Sequence, residues 1–198
     1  MSDSFLTITS PAEGLYKEKG SRFLAFVFPV SSVEQVKPIV DEKKKVFHDA
    51  RHVCYAYRID PLNPQVRAND DGEPSSTAGR PMLGCLQSRN LMNVLVVVVR
   101  YFGGIKLGVS GLANAYKVAT EDALDHAAVE VQTVKFCCNV KFDYVFLNDV
   151  MKIVKDMKAD ILAQSFELDC SMTLQIRLEQ AETLSDRLSK VETLSFAD

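Results

Sequence analysis

Arg100 and Lys106 stand on either side of Gly103-Gly104, in the run Val99-Arg100-Tyr101-Phe102-Gly103-Gly104-Ile105-Lys106-Leu107-Gly108. Two cations, and backbone N–H groups that glycine leaves accessible, are what a bound anion requires. Ser110 follows closely and could cap a helix whose N-terminus carries partial positive charge. The same residues would equally build a tight strand-to-helix turn. Their spacing matches neither the dinucleotide fingerprint nor a Walker loop.

A second polar block runs Asn69-Asp70-Asp71-Gly72-Glu73-Pro74-Ser75-Ser76-Thr77-Ala78-Gly79-Arg80-Pro81. The carboxylates of Asp70, Asp71 and Glu73 could hold Mg²⁺ or act as an acid–base pair. Alternatively, Asp71-Gly72 is a turn and Ser75, Ser76 or Thr77 caps the next helix. A third reading is a binding surface that includes Arg80. The third block is His48-Asp49-Ala50-Arg51-His52. Histidines four apart suit a metal on a helix, but a strand follows here and spoils that geometry. A polar turn remains, or a ligand-binding role for His48, Arg51 and His52. There is no Gly-x-Ser-x-Gly elbow, and no cysteine has an obvious histidine partner, so covalent catalysis has little to stand on.

These blocks must be held by regular elements. Phe5 to Thr9 and Arg22 to Val30 read as strands, joined across the turn Lys19-Gly20-Ser21. Ser32 and Gln35 form a capping-box pattern ahead of a helix carrying Val33, Val36, Val40 and Phe47, with Lys43-Lys44-Lys45 facing water. Pro38 predicts a bend or a late start in that helix. His52 to Ile59 alternates as a strand. Pro61 to Pro81 is nearly devoid of apolar residues, a long connection of the functional or disordered kind. A short helix from about Pro81 to Arg89 follows. Val94 to Val99 is apolar without alternation, so it should lie centrally in a sheet covered on both faces. A helix from Ser110 to about Ala127 comes next. After a break near Glu130–Thr133, the chain reads as a strand (Val134 to Phe146), then a helix capped by Asn148. A hairpin (Ile161 to Phe166 and Leu168 to Leu178) and a helix from Gln180 to Val191 follow. That order is βαββα, most of a ferredoxin-like sandwich. Thr193–Asp198 is short for the missing last strand.

The bulk numbers exclude several classes. At 198 residues the chain suffices for one large domain or two small ones. Hydrophobic content of 47% and charged content of 25% are those of a globular protein. No run approaches the roughly 18 apolar residues of a membrane helix, and Met1-Ser2-Asp3-Ser4 does not resemble a signal peptide. The five cysteines are odd in number, with no Cys-x-x-Cys pair, and read as reduced core residues of a cytoplasmic protein. The net charge of −3 excludes a strongly basic nucleic-acid-binding chain and leaves room only for a local cationic patch.

Taken together, the three polar blocks resemble the signature of the IMPACT/YigZ family, over roughly Gly14 to Ala128. The rest resembles, less distinctively, the smaller C-terminal domain of the bacterial YigZ branch. The resemblance implies an α+β chain of two domains. Residues 1–130 would be the IMPACT-family N-terminal domain, similar to domain IV of elongation factor G, of the ribosomal-protein domain 2 type with a left-handed βαβ crossover. Residues 131–198 would be a ferredoxin-like domain similar to domain V of that factor. For the eukaryotic relatives the family implies regulation of translation through a ribosome-associated activator of a stress kinase. It brings no established catalytic residues, cofactor or metal. The expectation is therefore a cytoplasmic, non-enzymatic protein that binds RNA, the ribosome or a translation-associated protein, and no membrane. Its binding face would comprise His48, Arg51, His52, Asp70, Asp71, Glu73, Ser75, Arg80, Arg100, Tyr101, Gly103, Gly104, Lys106 and Ser110, with Tyr101 or Phe102 for stacking. Two alternatives stand beside it. One is a phosphate-handling enzyme with Mg²⁺ on Asp70, Asp71 or Glu73 and phosphate on Gly103–Gly111. The other is a pure protein-interaction module.

Overall fold

The computed structural model describes residues 3–167 and 169–197. The chain divides into two compact units: Phe5–Gln132, and a second made of residues 133 onward together with Asp3 and Ser4.

Over residues 4–133, strands β1 (Ser4–Ile8), β2 (Ala12–Glu18), β3 (Ser21–Pro29), β4 (His52–Ile59), β5 (Gln65–Asn69), β6 (Val94–Tyr101) and β7 (Val129–Thr133) are interspersed with helices α1 (Val36–Val46), α2 (Gly79–Ser88) and α3 (Gly108–Asp125). Five strands form one sheet in the order β2-β3-β6-β4-β5, while β1 pairs separately with β7. Every neighbouring pair in the five-stranded sheet is antiparallel. The unbroken apolar run of β6 reflects its central place. Val94, Val96 and Val98 pack in the core shared with α2 and α3, whereas Leu95, Val97 and Val99 pack in the core shared with α1. Because side chains alternate along a strand, burial on both faces demands apolar residues at every position.

Some expectations need correction. The segments 12–18 and 65–69 are strands, although neither shows an apolar period. They are the two edges of the sheet, held by backbone pairing to β3 and β4. The helix expected to begin at Ser32 opens with a 3₁₀ turn, Val33–Gln35, and becomes α-helical only at Val36. Pro38 thus falls in the first α-helical turn, where a missing N–H does no harm. Ser32 makes no side-chain cap; Gln35 Oε1 instead accepts the N–H of Ser31 at 2.7 Å. Nor do all three lysines face water. Lys43 lies 4.6 Å from the centre of the Phe26 ring, whereas Lys44 and Lys45 are exposed, Lys44 while reaching Asp71 at 2.6 Å. The break expected near Glu130–Thr133 is instead part of β7.

The smaller unit runs β8 (Lys135–Asp143), α4 (Leu147–Met157), β9 (Asp160–Phe166), β10 (Asp169–Arg177), α5 (Ala181–Leu188) and β11 (Ser195–Ala197). Its sheet has the order β11-β8-β10-β9, antiparallel throughout. The short β11 does supply the sixth element of a βαββαβ unit, with Phe196 opposite Val140. Asn148 lies inside the first turn of α4 and is not its cap. Leu168 and Asp198, the expected ends of two strands, lie outside the described residues. Arg177 holds Asp3 through Nε and Nη2, at 3.2 and 3.0 Å, which ties the start of the chain to β10. Among the described residues, no helix is long and apolar enough to cross a membrane.

The packing of α3 on β2 leaves no space for a side chain at Gly14, where a Cβ would sit 2.3 Å from the backbone nitrogen of Ala123. Gly84, in α2, has nothing within 4 Å of its would-be Cβ. Gly14→Ala should therefore cost about 1–3 kcal/mol. Gly84→Ala should add about 0.5–1 kcal/mol by removing backbone freedom from the unfolded chain. Urea denaturation of the two variants should show midpoints shifted in opposite directions.

Candidate functional site

The register of the sheet starts the site. His52 opens β4 directly opposite Arg100 near the end of β6, and Phe23 of β3 lies opposite Arg100 on the other side. The Asp70–Ala78 loop then closes over this end of the sheet. Asp70 organises it: Oδ1 accepts the N–H groups of Ala78 (3.0 Å) and Gly79 (2.8 Å), and Oδ2 accepts that of Ser76 (2.8 Å). Burial pushes the Asp70 carboxyl up, but these three N–H groups outweigh it and hold the group below the usual carboxylate range. Asp71 clamps the loop to β4, accepting the Val53 N–H at 2.7 Å on Oδ2 and the Lys44 ammonium on Oδ1.

The loop delivers Glu73 into the interior. Its side chain is 3% exposed. Oε1 accepts hydrogen bonds from Arg100 Nη1 and, at 2.8 Å, from the Tyr116 hydroxyl of α3. Oε2 lies 3.8 Å from His52 Nε2. His52 Nδ1 is 2.8 Å from the carbonyl oxygen of Asp71. A carbonyl only accepts, so Nδ1 carries a proton and Nε2 is the nitrogen that faces Glu73. Beneath them, the Cys54 thiol donates to the Asp70 carbonyl at 3.1 Å and sits 3.4 Å from Tyr116 Oη. Burial pushes both the Cys54 thiol and the Tyr116 hydroxyl far above their ordinary values. Cys54 is thus a neutral thiol and a poor nucleophile.

A cavity of about 470 Å³ opens above this network. Its walls come from all three polar blocks: Arg51 and His52, then Glu73 and Pro74, then Arg100, Phe102, Lys106 and the start of α3 from Leu107 to Val109. The other expected site residues have different work. Asp70 and Asp71 line no part of this cavity; Asp71 borders a separate depression with Lys44, Tyr55 and Arg67. Tyr101 donates to Asp49 at 2.8 Å, with the Arg22 guanidinium 4.9 Å from its ring centre, so Phe102 is the ring at the cavity. Gly103 is an architectural residue: a Cβ there would sit 1.9 Å from the carbonyl carbon of Gly20, and its N–H donates to Ser21 Oγ at 3.1 Å. Gly104 has φ +88°, which the turn requires. Ser110 lies within the first turn of α3 and does not cap it; the N-cap, Leu107, offers no side-chain bond. His48, Ser75 and Arg80 are exposed and outside the cavity.

Tyr116 and Cys54 were not expected at the site. Tyr116 was readable only as part of a helical pattern, although a buried tyrosine hydroxyl does need a partner. Among the described residues, no three His, Cys, Asp or Glu side chains are placed to share a metal ion.

Residues 19–124 match the family model described as the Impact N-terminal domain. The IMPACT family member YvyE of Bacillus subtilis (strain 168) is 32% identical over 183 residues, covering 92% of this chain and 83% of that protein. Protein IMPACT of Oryctolagus cuniculus is 41% identical over 97 residues, 46% of this chain and 30% of that one. Among solved structures, the crystal structure of a hypothetical protein superposes with a TM-score of 0.76 at 26% identity, covering 99% of this chain and 97% of that chain. The chain belongs to the IMPACT family.

Removing one partner of a buried ion pair strands the other, a loss of about 3–5 kcal/mol. Arg100→Ala should destabilise by that order in urea denaturation, more than Tyr116→Phe at about 1–2 kcal/mol. Asp70 makes a separate, pH-dependent contribution. Its folded-state pKa is lowered, so its stabilisation is complete above the unfolded-state value and is lost as pH falls through the folded value. Asp70→Asn should be less stable than the parent at pH 7, with the gap closing below about pH 4. Thermal midpoints measured from pH 7 to pH 2.5 should show that convergence.

Proposed function

We propose that this is a translation-linked regulatory protein that binds RNA through the cationic cavity face of its larger unit. Membership of the IMPACT family supports the link to translation, since regulation of translation is what the family implies for its eukaryotic branch. The observation that carries the RNA reading is the convergence of the three polar blocks on one cavity. Arg51 and Lys106 are exposed at its wall and Arg100 lies within it, so phosphate contacts are available at one place on an acidic chain. The βαββαβ order of the smaller unit supports its kinship with domain V of elongation factor G. Kinship of the larger unit with domain IV, and a domain boundary at residue 130, belong to the same proposal.

The magnesium-enzyme alternative loses support, because the carboxylates it requires are engaged elsewhere. Asp70 is occupied by three N–H groups, Asp71 by Val53 and Lys44, and Glu73 by Arg100 and Tyr116.

Binding of a structured RNA should weaken as salt rises, with a log–log slope of about −0.7 to −0.9 per phosphate contact. The double variant Arg51→Ala, Lys106→Ala should bind at least about tenfold more weakly and show a slope shallower by about 1.5. Fluorescence anisotropy across a salt series reads both quantities. A salt-independent affinity, or one the double variant leaves unchanged, would speak for a protein-interaction module.

A further inference from the structure

The cavity has features that general RNA contact does not need. Arg100 sits in its wall with a side chain only 7% exposed. Nη1 is bonded to Glu73, while Nε is buried and has no hydrogen-bond partner among the described residues. An atom closed to water is closed to a ligand as well, so Arg100 can meet a ligand only through the 7% of its side chain that remains open. Beside it begins α3, an 18-residue helix whose first turn has no side-chain cap and whose Leu107, Gly108 and Val109 line the same cavity. The free N–H groups of a helix start carry partial positive charge and suit an anion. Gly108 has φ +74° and nothing within 4 Å of its would-be Cβ, so the approach to this helix start is open.

The charges agree. Glu73 and Arg100 cancel as a pair, leaving Arg51 and Lys106, neither of which has an ion-pair partner among the described residues. Two uncompensated cations match a phosphomonoester, which carries about −1.5 to −2 at pH 7. The remaining wall is apolar: Phe102 is 49% exposed and Val109 is 66% exposed, with Leu107 and Leu112 alongside. A lone phosphate gains nothing from such a wall, whereas a nucleoside gains a ring to stack on and apolar surface to cover. The volume of about 470 Å³ is in the range of small-ligand sites, roughly 300–1,000 Å³, and suits one nucleotide better than a length of chain.

We propose that this cavity is a site for a nucleoside monophosphate, with the phosphate between the start of α3, Arg100 and Lys106 and the base against Phe102. The proposal rests on the RNA reading of the same face for its class of ligand, and narrows it to a single phosphate-bearing nucleotide, free or at the end of an RNA. Glu73 and Tyr116 act as positioning residues for Arg100.

Isothermal titration of the full chain with adenosine 5′-monophosphate, adenosine and inorganic phosphate provides the test. Adenosine monophosphate should bind at least about tenfold more tightly than either of the other two, the worth of one charge-assisted contact or one stacked base. Lys106→Ala should weaken it about tenfold, and Phe102→Ala should weaken it while leaving inorganic phosphate unchanged. Both side chains are exposed, so these variants should fold as the parent does, and thermal unfolding checks that they do. Equal affinity for adenosine and its monophosphate, or variants without effect, overturns the site. Salt-dependent RNA binding without adenosine monophosphate binding also overturns it, and leaves the RNA reading standing. Adenosine monophosphate binding by a protein that ignores RNA supports the site and removes the broader reading. A preference for a 5′-phosphorylated oligoadenylate over its 5′-hydroxyl form assigns the nucleotide to an RNA end; tighter binding of the free monophosphate than of either oligomer assigns it to solution.

Discussion

Arg100 and Glu73 meet where water scarcely reaches, and neither charge could be there without the other. Taking an ion out of water costs several kcal/mol even after relaxation, and only a close, well-bonded partner offsets it. The two residues come from distant parts of the chain: Arg100 from the end of the central strand, Glu73 from the loop that follows an edge strand. Satisfying the pair therefore dictates where that loop must lie. Asp70 shapes the loop from within, Asp71 fastens it to β4, and Tyr116 reaches from α3 to the same carboxylate. Sheet, loop and helix are thereby tied at one point, and the cavity is the space left above the knot.

Burial at this point also decides what chemistry the site can support. The low-dielectric surroundings that strengthen the ion pair keep Cys54 and Tyr116 protonated. The cavity wall above them offers a ligand hydrogen-bond donors, positive charge and apolar surface beside His52. The smaller unit has its own core around Val140, Val150, Cys170, Met172 and Leu184 and owes nothing to that pair.

How much could be read from residues alone varied with what held each element in place. β6 was legible because burial on two faces leaves an unmistakable apolar run, and β4 because it alternates. β2 and β5 were illegible for the opposite reason: an edge strand is secured by backbone bonds to one neighbour, and backbone bonds leave no trace in side-chain pattern. The same limit applied to the site. Asp70 and Asp71 look alike on paper and resemble metal ligands, but the groups that claim most of their oxygens are N–H donors of residues 53, 76, 78 and 79, present in every sequence and invisible in all. Gly103 could be read equally as an anion-cradling or a tight-turn glycine, and what the structure adds is its close approach to Gly20, a contact 83 positions away along the chain that no local spacing announces. The helical period of α3 placed Tyr116 correctly but could not disclose what its hydroxyl would touch.

The exposed position of β5 has a consequence for how many copies of this protein can coexist in solution. An open sheet edge offers a row of backbone donors and acceptors to any passing strand, and a second copy carries the same edge. This edge is poorly suited to the encounter. It is five residues long, Pro64 precedes it and Arg67 stands in its middle. A short strand limits the ladder that could grow, a proline removes a donor beside it, and like charges would be brought together if two copies aligned about that arginine. The weakness of β5 as a strand, which hid it from pattern analysis, is thus also a safeguard against edge-to-edge aggregation.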